Sequence, residues 1–220
     1  MKIFKPKSHI AFDIDGIVLD TASLLWDVIT THLGVSLPIS KWTNYAIENT
    51  LNINKMEIRP IYEPVLRRND IPIIYGADDI LKWFHKETQE PILFITARRP
   101  QFLESARQSI SRVLNGTSIE IVGCSSETSV TEDPDHSKIH YLLEREINFF
   151  IEDNPKHWLL YMDNGIRIGT FVLPWNREYI REILDPRGKY YTDYGKKGML
   201  KAFHGWYELG MYLKSHEAYL

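Results

Sequence analysis

Two aspartates, Asp13 and Asp15, sit one residue apart at the end of the apolar run Ile10, Ala11, Phe12 and Ile14. A carboxylate is expensive to remove from water unless a cation or hydrogen-bond donors compensate it. The run therefore asks what else the chain brings to the same place. Thr96 follows a second apolar run, Glu152, Asp153 and Asn154 follow a third, and Lys138 stands at the start of the segment leading into that third run. Together these are carboxylates for a hard cation, a hydroxyl and an ammonium for an anion, and a carboxylate able to attack as a nucleophile. Singly, each has an ordinary explanation. An aspartate at a strand end forms turns or caps a helix, Thr96 suits a strand end, and Lys138 suits a surface. The string "DIDG" is no calcium loop of the helix-loop-helix type, because Gly is fourth after a strand rather than sixth after a helix. The joint occurrence at successive run ends carries the reading.

The elements that must position these residues follow a regular rhythm from Gly76 onward. "ADDILKWFHKE" has helical spacing with acidic residues in its first turn, where they suit the helix dipole. "PILFITA" (91–97) reads as a buried strand, "QFLESARQSISRVL" as a helix, and "SIEIVGC" (118–124) as a strand. "SKIHYLLERE" is helical, "NFFIED" (148–153) a strand, "PKHWLLYMDNG" a helix stopped by Gly165, and "IRIGTFVLP" (166–174) the last clear strand. Strands alternating with helices predict an α/β fold with a doubly wound parallel sheet, whose ligands sit beyond the carboxyl ends of the strands.

Residues 20–75 break the rhythm. "ASLLWDVITTHLG" is a helix closed by Gly34, and Ile58, Ile61, Tyr62, Val65 and Leu66 have helical spacing that Pro60 and Pro64 must start or kink. The expected organisation is a Rossmann-like core, residues 1–19 and 76–220 with a C-terminal helical extension, and a small helical cap at 20–75 inserted after the first strand. "NREYIREIL" and "GWYELGMYLKSH" read as the helices of that extension, which packs on the core or on a second subunit of a homodimer.

Composition narrows the class. A net charge of −3 gives no general grip on a nucleic-acid polymer or an anionic membrane. The pairs Arg98-Arg99 and Lys196-Lys197 read as solvated surface. A single cysteine, Cys124, excludes an internal disulfide and fits a reducing cytoplasm, with Cys124 itself a small buried side chain. The N-terminal "MKIFKPKSH" is basic but has no long apolar region behind it, and no segment approaches a membrane span.

"FDIDGIVLDT", "LFITAR", Lys138 and "FIEDN" resemble the four signature motifs of the haloacid dehalogenase-like (HAD) hydrolase superfamily, over residues 9 to 175. The resemblance implies Asp13 as a nucleophile that forms an aspartyl-phosphate, and Asp15 as the acid and base that serves the leaving oxygen and then water. It implies Mg²⁺ held by Asp13, the backbone carbonyl of Asp15 and Asp153, with Thr96 and Lys138 binding the phosphoryl group. Asp15 separates activities within the superfamily: a halide leaves without a proton, whereas an alkoxide needs one, so phosphate esters are favoured. Glu152 either reaches the metal through water or holds a neighbouring group.

"YGADDILKWF", "INFFIEDNP" and "FVLPWNR" are similar to the 5′-nucleotidase, deoxy (pyrimidine), cytosolic/mitochondrial-type family and its bacterial relatives. "FVLPWNR" enters only as a marker, far in sequence from the catalytic motifs and with no assigned chemistry. The implied activity is a 5′(3′)-deoxyribonucleotidase-like dephosphorylation of nucleoside monophosphates. A phosphatase for a phosphosugar or other small metabolite is the alternative, and a silent binding module that keeps the fold is a third reading. Trp26, Trp42 and Tyr45 offer stacking surfaces for a base, or else form the cap's own core. Arg67-Arg68 offers a second phosphate grip under the same reservation.

Overall fold

The computed structural model of the protein describes residues 9–124 and 134–215. The basic N-terminal stretch 1–8 lies outside the described residues. Six parallel strands form one sheet: β1 (Ile10–Phe12), β2 (Ile92–Thr96), β3 (Ile119–Gly123), β4 (Phe149–Ile151), β5 (Arg167–Phe171) and β6 (Leu200–Phe203), in the order β3-β2-β1-β4-β5-β6. The winding runs outward from β1 to β3 and then restarts on the other side of β1 with β4. The crevice of an open α/β sheet therefore falls at the carboxyl ends of β1 and β4.

Alternation along each strand sorts its side chains to two faces. Ile10 and Phe12 join Ile80, Leu81 and Phe84 of α4 (Ala77–Thr88), Ile110 of α5 (Leu103–Val113), and Leu209 and Leu213 of α9 (Trp206–Lys214). Ala11 and Phe150 face the opposite way, toward α6 (Pro134–Glu144), α7 (Trp158–Asp163) and α8 (Arg177–Leu184). Both faces are covered, which is why these strands read as continuous apolar runs.

A third apolar cluster lies between β1 and α4 in sequence. It joins Leu25, Trp26 and Ile29 of α1 (Thr21–His32), Ile47 of α2 (Ile47–Leu51), and Ile58 and Val65 of α3 (Lys55–Leu66). Helix α3 runs through both Pro60 and Pro64 rather than starting at them. Two of its backbone donors are absent for that reason, and packing of Ile58, Val65 and Leu66 offsets the loss. The chain leaves and re-enters this segment side by side: Asp20 N donates to Pro72 O at 2.8 Å, and Ile74 N to Val18 O at 2.8 Å.

The C-terminal part is more than a helical extension. Residues 200–203 form edge strand β6, paired to β5 through Ile168↔Leu200 and Phe171↔Phe203. Trp206 then stacks on Phe12 at 5.7 Å, and its indole N–H donates to Ile17 O at 2.8 Å, fixing the turn that follows β1. Cys124 is buried at the end of β3. Among the described residues, no helix is long and apolar enough to cross a membrane.

Candidate active site

Asp13 follows β1 directly, and its backbone N–H donates to Ile151 O at 2.8 Å, locking the ends of β1 and β4 together. This places Asp13 beside the residues that follow β4. Ligand-capable oxygens of Asp13, Glu152 and Asp153 lie within 4.8 Å of one another, all three residues buried. Lys138 reaches the cluster from α6 with only 1% of its surface exposed. Its ammonium stands 2.6 Å from Glu152 Oε2 and 3.2 Å from Asp13 Oδ1.

Three buried carboxylates thus gather around one buried ammonium. Burial, joined by repulsion from Asp13 and only partly relieved by Lys138, pushes the Asp153 carboxyl well above the usual range. Asp153 Oδ1 has no hydrogen-bond partner among the described residues. A buried oxygen left without a donor, on a member of a set of hard oxygen ligands, fits a divalent cation such as Mg²⁺.

Glu152 is already engaged at both oxygens: Oε2 accepts from Lys138 and Oε1 accepts from Asn154 N at 3.0 Å. Glu152 thereby ties Lys138 to the backbone that follows β4. Gly16 explains how the chain passes so close. It has φ +75°, and a Cβ there would stand 2.5 Å from Asp153 Oδ2, so only glycine fits both the turn and the carboxylate.

Asp15 lies apart from this cluster. Its Oδ1 accepts from Thr21 Oγ1 at 2.5 Å and from Arg98 Nη2 at 2.7 Å, while Oδ2 accepts from Arg98 Nε at 2.8 Å. Burial alone would raise the Asp15 carboxyl, but the Arg98 charge and the hydrogen bonds from Arg98 and Thr21 outweigh it and hold it below the usual range. Thr96 ends β2 on the same edge of the sheet, and its hydroxyl accepts from Arg98 N at 3.2 Å.

Arg98 corrects the reading of Arg98-Arg99 as solvated surface. It is 4% exposed, forms the two-pronged pair with Asp15, and points Nη1 at Leu66 O, 3.4 Å away, at the end of α3. Its distance of two residues from Thr96 was a usable signal, since the rule of inspecting strand ends covers it.

A second correction concerns "FVLPWNR". The indole N–H of Trp175 donates to Asp153 Oδ2 at 3.1 Å, and Asn176 Nδ2 donates to Asp153 O at 3.3 Å. The string lies at the acidic cluster, because β5 adjoins β4 and brings its own carboxyl end there.

Trp26 and Trp42 belong to the apolar core of the inserted segment, 2% and 6% exposed, and stack on each other at 5.8 Å. Neither presents a free face for a base. Arg68 is paired with Asp70 at 2.8 and 2.9 Å, and Arg67 lies over the Phe102 ring at 5.1 Å.

No family model matches the chain, and no curated protein matches it by sequence. Solved structures do match in fold. A candidate beta-phosphoglucomutase from Thermotoga maritima has 16% identity and a TM-score of 0.56, covering 96% of this chain and 99% of that one. The chain has the fold of the HAD-superfamily hydrolases. A candidate HAD-hydrolase from Bacillus subtilis, YfnB, bound to magnesium, shares that HAD fold with 14% identity and a TM-score of 0.54, covering 96% of this chain and 100% of that one. L-2-haloacid dehalogenase from Xanthobacter autotrophicus, with chloropropionic acid covalently bound, is similar at 11% identity and a TM-score of 0.53, over 93% and 97% of the two chains.

Proposed function

We propose that this protein is a Mg²⁺-dependent phosphomonoesterase of the HAD type, cytoplasmic, acting on small phosphate esters rather than on nucleic-acid polymers or membranes. The observation that carries the reading is the buried cluster of Asp13, Lys138, Glu152 and Asp153 at the sheet's switch point, with Asp153 Oδ1 lacking a partner among the described residues. Residues 20–75 serve as a cap that excludes water and selects the leaving group.

Asp13 attacks phosphorus through a carboxylate oxygen, the ester P–O bond breaks, and the phosphoryl group rests on Asp13. Asp15 gives a proton to the departing oxygen, then takes one from the water that attacks phosphorus and frees Asp13. Asp13, the Asp15 carbonyl and Asp153 would hold the metal, which neutralises phosphoryl oxygens and so supplies charge stabilisation when bound. Lys138, fixed by Glu152, sets its positive charge beside Asp13 and the phosphate, and the Thr96 hydroxyl donates to a phosphoryl oxygen. The Arg98 clamp holds Asp15 as the carboxylate, the form that accepts a proton from water. To protonate the leaving oxygen, Asp15 must first turn out of that clamp and take up a proton from solvent, and the contact of Arg98 with Leu66 links this turn to the cap.

For the substrate, the deoxyribonucleotidase-like strings favour nucleoside monophosphates. A phosphosugar is favoured by two specific observations: Trp26 and Trp42 are enclosed and give a base no stacking face, and fold neighbours include two named as beta-phosphoglucomutases. Hydrolysis of p-nitrophenyl phosphate with and without Mg²⁺ tests the reaction. Metal-dependent turnover abolished by Asp13→Asn is expected, and full turnover in that variant would exclude both the nucleophile and the enzyme reading built on it. A panel of nucleoside monophosphates against sugar phosphates, compared by kcat/KM, then decides the substrate class.

A further inference from the structure

We propose that Trp175 is a positioning residue that couples the divalent-cation site to the cap, so that the cation and a packed cap favour each other. This deepens the proposed function and rests on its reading of Asp153 as a metal ligand.

The two oxygens of the Asp153 carboxylate have different surroundings. Trp175 Nε1 donates to Asp153 Oδ2 at 3.1 Å, while Oδ1 has no partner among the described residues, and the residue belongs to the acidic cluster. The indole thus fixes the rotation of the carboxyl group and engages only one of its two oxygens. Such partners of metal ligands set ligand orientation and account for a large share of affinity.

The indole is itself held. Asn176 Nδ2 donates to Asp153 O, to Thr170 Oγ1 at 3.2 Å and to Phe171 O at 3.0 Å, and its Oδ1 accepts from Leu173 N at 2.9 Å. The loop after β5 is therefore a bracket built onto the sheet, with Asn176 fully buried. The other side of Trp175 faces the cap. Its ring lies 4.8 Å from that of Trp42, which stacks on Trp26 at 5.8 Å. Trp175 comes from the core sequence yet is a buried member of the cap's apolar cluster. One side chain thus touches both a metal-ligand carboxylate and the cap interior. A change in how the cap packs on Trp175 moves the donor to Asp153, and by reciprocity a cation that fixes Asp153 favours the packed cap.

The test is Mg²⁺ affinity by isothermal titration calorimetry on the full chain, with the metal as the only ligand. Trp175→Phe keeps the ring in the stack and removes the N–H, and should weaken Mg²⁺ binding roughly tenfold. Trp42→Leu touches no ligand and should weaken it by about threefold to tenfold through the stack. Near-ultraviolet circular dichroism confirms that both variants stay folded, and Mg²⁺-induced tryptophan fluorescence change, read in parallel, should shrink in Trp175→Phe. Unchanged affinity in Trp175→Phe, with wild type binding normally, overturns the proposal and leaves the proposed function standing. Weakened binding in Trp175→Phe but not in Trp42→Leu overturns the coupling to the cap. Failure of the wild-type protein to bind Mg²⁺ overturns the metal reading and this inference together.

Discussion

The two aspartates of "FDIDG" inhabit different surroundings, although one residue separates them. Asp13 is gripped by sheet and core: its N–H is bonded to β4, and Lys138, 1% exposed, faces it from α6. The Asp15 side chain is 26% exposed and is held by Arg98 and Thr21, with Arg98 also reaching the end of α3 in the inserted segment. One carboxylate is fixed by elements that have nowhere to go, and the other by a clamp that shares a contact with the inserted segment. The difference suits the proposed division of labour, in which Asp13 as nucleophile stays put and Asp15 as proton carrier moves.

The strongest way to break this comparison is to neutralise each aspartate. Asp13→Asn should lower kcat by on the order of 10⁴-fold or more, as expected for loss of a nucleophile, measured by phosphate release. Asp15→Asn should lower kcat by about 10²- to 10⁴-fold while calorimetry shows Mg²⁺ affinity preserved, since only the Asp15 backbone carbonyl is assigned to the metal.

The stabilities of the two clamps should also differ. Lys138→Met leaves Asp13 and Glu152 facing each other without their cation, and should destabilise the protein by about 3–5 kcal/mol in urea unfolding. Arg98→Met strips a carboxylate that water can still reach, and should cost about 1–3 kcal/mol. Equal losses would show that the two surroundings are not as different as their exposure indicates.

Gly16→Ala sharpens the boundary between the two aspartates. It places a methyl against Asp153 Oδ2 at a positive φ, and should lower the melting temperature by several degrees, consistent with about 1–2 kcal/mol, while weakening Mg²⁺ binding. The smallest effect belongs to Arg68→Ala. Its guanidinium is occupied by Asp70 at the surface, so kcat/KM should stay within about twofold.

What was legible in the sequence followed one physical rule: apolar runs mark buried parallel strands, and polar residues just beyond them share an edge. That rule brought Asp13, Glu152 and Asp153 to one place and set Lys138 at the helix feeding β4. The same rule, applied to residues two to five positions beyond the strand ends, reaches Arg98, Trp175 and Asn176. Residue type hid them. An arginine beside another arginine reads as surface, and a tryptophan after a proline reads as core, until sheet order shows which strand ends adjoin. Strand β6 was hidden because four residues, two of them only half-buried, leave no apolar run. The enclosure of Trp26 and Trp42 likewise depends on α1, α2 and Trp175 meeting, which no local spacing specifies.

Trapping the covalent intermediate tests the central claim most directly. Borohydride added to the Mg²⁺-loaded protein during p-nitrophenyl phosphate turnover reduces an aspartyl-phosphate to homoserine, which peptide mass spectrometry locates. Conversion at Asp13, dependent on substrate and absent in Asp13→Asn, is the predicted result. Turnover without reduction at Asp13, or reduction at another carboxylate, would contradict the account.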